Sequence, residues 1–280
     1  MTSPAVAAVN PITTRRVVVG VILAVCGMSC VILPWTFYGL VLLIGLAALF
    51  ELNALCEMKG QPLEFPVALL GVCAYIVMGV FNMLHKWEGV LLSAIVIATF
   101  WIGMYGEQKG YFARTAYTLL AVLYIGKLLT YFVFIRQVPL TGMWLTFEVI
   151  VLIACTDIFG MMVGTFIGRT QLTKISPKKT VEGSLGAAAL VTGVAIAAAV
   201  VFPQIHMLWW QGAFVGLFTS IAAQAGDLAE SALKRDAGVK DTGTVIQGHG
   251  GVLDRFDSYL FGGMAFFGTL HLIGILTVSA

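Results

Sequence analysis

The chain has 280 residues, 59% of them hydrophobic and 11% charged, with 18 Phe, 11 Met and 6 Trp and a formal net charge of +2. With a mean hydropathy of +0.96, this composition excludes an ordinary soluble domain, and basic residues scattered through short connections exclude a nucleic-acid-binding groove. The implied solvent is lipid, where a helical span needs ~20 mostly apolar residues because the backbone finds no water to bond.

Apolar runs predict an all-α, polytopic integral membrane protein of about nine transmembrane helices, near residues 17–35, 38–56, 65–83, 88–106, 114–135, 143–168, 184–202, 207–226 and 257–279. The lead MTSPAVAAVNPITTRR has a positive flank but no clear small-residue cleavage site follows, so the first run is expected to remain as a helix. With the N-terminus cytoplasmic, alternate connections collect Arg15, Arg16, Lys59, Lys109, Arg114, Arg169, Lys174, Lys178, Lys179, Lys234, Arg235, Lys240 and Arg255, which is 13 of the 16 basic residues. The opposite side receives Lys86 and Arg136, so the positive-inside rule puts the N-terminus in and the C-terminus out.

The first half, residues 1–140, reads as a scaffold of five spans with few polar residues. Its cysteines, Cys26, Cys30, Cys56 and Cys73, lie in or beside spans, as does Cys155 later, and none has the neighbours of a metal set. They read as small apolar residues. Lys127, in LYIGKLLTYF, is an exception; a snorkelling structural role is favoured over a functional one, with Glu148 as a conceivable partner across the bundle.

Residues 141–280 read as the catalytic half, with four spans and two long cytoplasmic loops, 169–183 and 227–256. In the sixth span, CTDIFGMMVGTFIGR sets Asp157, Gly160, Gly164 and Gly168 on one helical stripe. The glycines let another backbone approach, so the stripe should face protein, and Asp157 with it. In ISPKKTVEGSLG, Ser176, Lys178, Lys179 and Thr180 offer the cations and hydroxyls that hold phosphate oxygens, and Glu182 stands beside them. On Lys178 and Lys179 alone, a plain positive-inside anchor would be the better reading; Glu182 and Gly183 tilt it the other way, because an unpaired exposed anion immediately before the next span has no topogenic role.

QAGDLAESALKR spaces Asp227, Glu230, Ser231 and Lys234 at i, i+3, i+4 and i+7, one polar face if the eighth span continues as a helix. A solvated amphipathic face reads the same way. The next stretch decides between them: Arg235, Lys240 and Asp241 precede a flexible run containing His249, Gly250 and Gly251, and Asp254, Arg255 and Asp257 open the ninth span. Because the eighth span descends and the ninth leaves, Asp227 and Asp254 fall at opposite ends of one loop at similar depth. Two carboxylates there repel unless a cation sits between them, and an oxygen-only donor set favours magnesium, with a second cation left open. His249 ranks as a phosphate contact before a metal ligand.

The run from Ser231 to Asp257, S-x-L-K-R, four residues, K-D-x-G, then H-G-G-V-x-D-R-F-D, closely resembles the signature of the phosphatidate cytidylyltransferases, or CDP-diacylglycerol synthases. The preceding G-D-L-x-E-S and the earlier S-P-K-K-T-x-E-G are similar to other motifs of that family, so the likeness covers roughly the last 125 residues. The sequence departs from the pattern at Gln247 (usually Pro), Val181 (commonly Trp) and Gly160-Met161 (often Ala-Tyr). The resemblance implies magnesium-dependent condensation of CTP with phosphatidate to CDP-diacylglycerol and pyrophosphate, in a bacterial inner membrane with the site facing the cytoplasm. It implies that Asp227 and Asp254 serve the metal centre, and this agrees with the residue reading. Lys234, Arg235, Lys240 and Arg255 are then expected to carry phosphate charge. Ser176, Lys178, Lys179, Thr180, Glu182, Ser231, His249, Gly250 and Gly251 are expected to bind substrate, with Asp157, Glu230, Asp241 and Asp257 as supporting or additional metal ligands. The partners are CTP, phosphatidate and membrane lipids, with no nucleic acid; a homodimer is left open.

Two other classes fit parts of the sequence. A membrane lipid kinase would also need metal and cations but would release a nucleoside diphosphate. A secondary transporter, with Asp157 and Lys127 as coupling charges, would need two matching halves, whereas here the polar motifs gather in one.

Overall fold

The computed structural model describes residues 25–106, 108–243 and 250–276. Residues 25–32 are helical, and eight longer helices follow: α1 (Pro34–Met58), α2 (Phe65–Val80), α3 (Leu84–Gly103), α4 (Tyr111–Gln137), α5 (Gly142–Ile167), α6 (Val181–Val201), α7 (Trp209–Asp236) and α8 (Leu253–Leu272). Each coincides with one expected span from the second to the ninth; of the first, 17–35, residues 17–24 lie outside the described residues and the helical residues 25–32 fall within it. Among the described residues, α1, α3, α4, α5 and α6 are long and apolar enough to cross a membrane. Large side chains such as Trp35, Phe112 and Phe166 point outward, as suits a surface solvated by acyl chains rather than water.

Local chemistry explains the helix ends. Proline occupies the first turn of α1 and α2, where no intrahelical N–H bond is lost. Gly60, with φ +68°, stops the chain just after α1. Thr180 caps α6 by accepting from Gly183 N at 3.1 Å. Helix α4 contains a π-helical stretch, Val122–Lys127, whose last residue reaches Glu88 near the start of α3 at 2.6 Å. Lys127 therefore snorkels to Glu88 and not to Glu148, whose oxygens have no hydrogen-bond partner among the described residues.

The two polar connections are shorter than hydropathy suggests. Helix α7 has 28 residues, or about 42 Å, so the backbone stays helical after its apolar part ends near residue 226. Asp227, Glu230, Ser231 and Lys234 ride on that projecting end. Helix α8 begins at Leu253 rather than 257. Hydropathy reports the solvent around a segment; the hydrogen-bond ladder does not stop where the solvent changes.

Helices α5, α6, α7 and α8 pack consecutively, each against the next. Small residues set the spacing: the Cβ that Gly183 lacks would lie 2.7 Å from Gly160 O and 3.0 Å from Gly164 Cα, so α5 and α6 touch backbone to backbone. Gly226 on α7 faces the Asp257 carbonyl of α8 as closely. The glycine stripe of α5 thus faces protein, as its spacing predicts.

Candidate active site

Close packing of these four helices leaves one polar cavity at their shared end, about 450 Å³ in volume. Helix α5 contributes Asp157, α7 contributes Asp227 and Gln224, and α8 contributes Asp254, Arg255 and Asp257. The α5–α6 connection adds Ser176, Lys178, Lys179 and Thr180 from the opposite wall. That connection is a small hairpin: Leu172 N donates to Lys179 O at 2.9 Å and Val181 N to Thr170 O at 2.9 Å, which turns the lysines toward the carboxylates.

The wall charges are partly matched. Lys179 Nζ sits 2.6 Å from Asp227 Oδ2, and Ser231 Oγ donates to Asp227 Oδ1 at 3.3 Å. Ser258 Oγ lies 3.5 Å from Asp157 Oδ1, while Asp257 Oδ1 accepts from Ser258 N at 2.6 Å. Among the described residues, the side-chain oxygens facing this space are carboxylates, hydroxyls and the Gln224 amide, with no His or Cys. That set suits a hard divalent cation. Among the described residues no three acidic, His or Cys side chains converge to enclose an ion by themselves, so remaining ligands would have to come from substrate or water.

Behind this wall lies a buried charge cluster. Lys234 Nζ donates to Asp254 Oδ1 at 2.7 Å and pairs with Glu230, which is fully buried. Burial lifts the Glu230 carboxyl to about 8 against the opposing pull of Lys234. Burial also disfavours the Asp254 anion, but Lys234 and the amides of Gly251 and Thr242 prevail and hold that carboxyl at about 2. Likewise burial works against the Lys234 charge, and Asp254 and Glu230 outweigh it, leaving the ammonium above its usual range. Asp254 Oδ2 accepts from Gly251 N at 2.7 Å and Thr242 N at 3.0 Å, so both of its oxygens are engaged.

Several expected site residues lie elsewhere. Glu182, read from the sequence as an unpaired anion beside the substrate donors, accepts from Arg169 N and Thr170 N and closes the hairpin. Arg235 donates to Val239 O at 3.1 Å on the outer face of α7. Lys240 and Asp241 are exposed and do not line the cavity. Gly250 adopts φ +83°, a conformation glycine permits, and Gly251 is buried. His249 and Gln247 lie outside the described residues. Sequence reasoning gave no role to Gln224 and Ser184, two neutral residues inside the stretches QAGDLAESALKR and ISPKKTVEGSLG, and missed Glu51, considered below.

A second cavity, apolar and about 330 Å³, flanks the start of α8 and is lined by Phe37, Val41, Leu129, Ile150, Phe256 and Tyr259 among others. Phe256 and Tyr259 bracket Asp257, so one short helical segment faces both cavities.

A model of the cytidylyltransferase family matches residues 13–273. The phosphatidate cytidylyltransferase of Bacillus subtilis (strain 168) is 34% identical over 260 residues, covering 88% of this chain and 93% of the relative. That of Staphylococcus epidermidis (strain ATCC 12228 / FDA PCI 1200) is 32% identical over 259 residues, 89% of this chain and 95% of the relative. The Synechocystis protein of the same name is 47% identical over 125 residues, 43% of this chain and 41% of its own.

Proposed function

The chain belongs to the cytidylyltransferase family, and from that premise we propose that it condenses CTP with phosphatidate, giving CDP-diacylglycerol and pyrophosphate, at the polar cavity between α5, α6, α7 and α8. One observation carries the reading: Lys178, Lys179 and Arg255 face the same space as Asp157, Asp227 and Asp257, so phosphate-binding cations and metal-binding carboxylates share one chamber. Its volume of about 450 Å³ falls in the range of small-molecule sites. The adjoining apolar cavity supports a substrate with acyl chains.

The lipid phosphomonoester is largely dianionic at neutral pH, with a second pKa near ~6, and needs no protein base to become a nucleophile. The chain's work is then to bring two anions together. Lys178, Lys179 and Arg255 would offset phosphate charge, and the hydroxyls of Ser176 and Thr180 would orient phosphate oxygens. Attack on the α-phosphorus forms one P–O bond and breaks the bond to pyrophosphate, which leaves with the displaced electron pair. Lys179, paired with Asp227 at 2.6 Å, is positioned to exchange that carboxylate for a phosphate when substrate enters. Asp227, with Asp157 and Asp257 beside it, would hold magnesium, which supplies charge neutralisation at the transferring phosphates. Asp254 borders the same cavity, but its bonds to Lys234, Thr242 and Gly251 suit it to organise α8.

We place the N-terminus and this cavity on the cytoplasmic side of a bacterial inner membrane with about nine spans; the skew of Lys and Arg supports that orientation.

The test is incubation of purified protein with phosphatidate, magnesium and each labelled nucleoside triphosphate in turn. CTP-dependent release of pyrophosphate with formation of the nucleotide-linked lipid is expected, whereas a nucleoside diphosphate product would indicate a kinase. Manganese binding followed by electron paramagnetic resonance separates the carboxylates: Asp257→Asn should weaken it more than Asp254→Asn.

A further inference from the structure

Glu51 stands alone as a charge in the apolar stretch GLAALFELNAL of α1 and belongs to no motif. It is 5% exposed. An unpaired carboxylate there would be strongly disfavoured by desolvation, yet three donors meet it, all from the catalytic half. Val252 N donates to Oε1 at 2.8 Å, Leu253 N to Oε2 at 2.7 Å and Thr242 Oγ1 to Oε2 at 3.1 Å. The two amides are among those that the start of α8 cannot satisfy internally, and an anion at that end also opposes the helix dipole favourably.

These donors come from both ends of the connection between α7 and α8. Asp254 grips the same ends from the other side through Thr242 N and Gly251 N. The glycines record how closely Glu51 approaches: a Cβ on Gly243 would lie 2.9 Å from its Oε1, and one on Gly251 would collide with Oε2 and with the Thr242 hydroxyl. Two glycines of the recognised motif thus lie directly against a side chain about 200 residues away, as the separations of 191 to 202 positions along the chain indicate.

We propose that Glu51 is a positioning residue of this site, a carboxylate from the scaffold half that fixes the start of α8 and so sets where Asp254, Arg255 and Asp257 stand in the cavity. The proposal rests on the cavity being the active site. Glu51 itself does not line it.

The experiment uses the full chain in nanodiscs and compares wild type with Glu51→Gln, which preserves shape but turns an NH2 group toward donors, and with Thr242→Val, which removes one donor. Hydrogen exchange of the peptide spanning 250–256 and steady-state turnover are measured together. Glu51→Gln should speed exchange of that peptide by about 10- to 100-fold, as expected for loss of bonds to a charged acceptor, with the rest of the chain unchanged. It should lower kcat by about 10- to 100-fold, the scale of a displaced catalytic group, and leave KM for CTP within about threefold. Thr242→Val should show the same pattern with a smaller effect, and it serves alone if Glu51→Gln does not fold. Wild-type exchange and turnover in the folded variant would overturn the proposal, and so would a uniform rise in exchange along the whole chain. If wild type shows no CTP turnover, the functional reading fails and the exchange data judge Glu51 by themselves.

Discussion

Replacing Gly183 by alanine should separate α5 from α6 and disable the cavity they share. The added Cβ would lie 2.7 Å from Gly160 O, 2.9 Å from Thr180 Oγ1 and 3.0 Å from Gly164 Cα. Two of those atoms are backbone and the third caps α6, so no rotamer change relieves the overlap. Relief requires the helices to part by roughly half an ångström, and overpacking of that kind costs about 1–3 kcal/mol. Because Asp157 stands on α5 and Thr180 caps α6, the movement also shifts opposite walls of the cavity, and displacement of about 1 Å can cost 100-fold in rate. Gly193→Ala is the matched control: it lies on the same helix with nothing within 4 Å of the added carbon, and helix propensity favours alanine by ~1 kcal/mol. Thermal melts monitored by size exclusion, alongside CTP turnover, should show Gly183→Ala less stable and at least about tenfold slower, and Gly193→Ala unchanged or improved. Equal behaviour of the two variants would refute the claim that backbone contact between α5 and α6 sets the site.

Three further outcomes are expected. Asp227→Asn should fold, because its partners are one lysine and one hydroxyl at the cavity wall, yet lose about 100-fold or more of magnesium-dependent turnover, within the range set by removing preorganised charge; turnover within a few-fold of wild type would contradict its assigned role. Burial lifts the Glu230 carboxyl to about 8, so the native state holds a proton there that the unfolded chain has already released above its ordinary value, and stability should decline as pH rises from about 4.5 toward 8. Glu230→Gln should flatten that part of the melting-temperature profile, and an unaltered slope would count against a neutral Glu230. Lys127→Met should leave turnover unchanged and alter stability by no more than about 1 kcal/mol, since Lys127 and Glu88 form a half-exposed pair; loss of activity would reopen a coupling role.

How much was legible in the chain differs from residue to residue. The positions of the helices could be read directly, because lipid admits only runs whose backbone bonds itself, and those runs must be apolar. Asp157, Lys178, Lys179, Asp227, Asp254 and Asp257 could be read as one constellation, because charged residues beside apolar spans require partners or a ligand. Division of labour within the constellation could not. Asp227 and Asp254 look equivalent by spacing, and both oxygens of each are engaged, yet Asp254 is held by Lys234 and by the amides of Thr242 and Gly251, while Asp227 is held by the cavity-wall lysine Lys179 and the Ser231 hydroxyl. Glu182 looked unpaired because its partners are amides, which no residue letter reports.

By itself, then, the sequence determined the solvent, the helical class and the stretch that carries the chemistry, since each follows from composition and short-range spacing. Only the tertiary structure decided which groups hold each carboxylate of the cavity, which cation pairs with Glu88, and that Glu51 reaches the far half of the chain. Those choices depend on distances between helices far apart in sequence, and a buried charge declares its purpose only when the groups that compensate it are in contact.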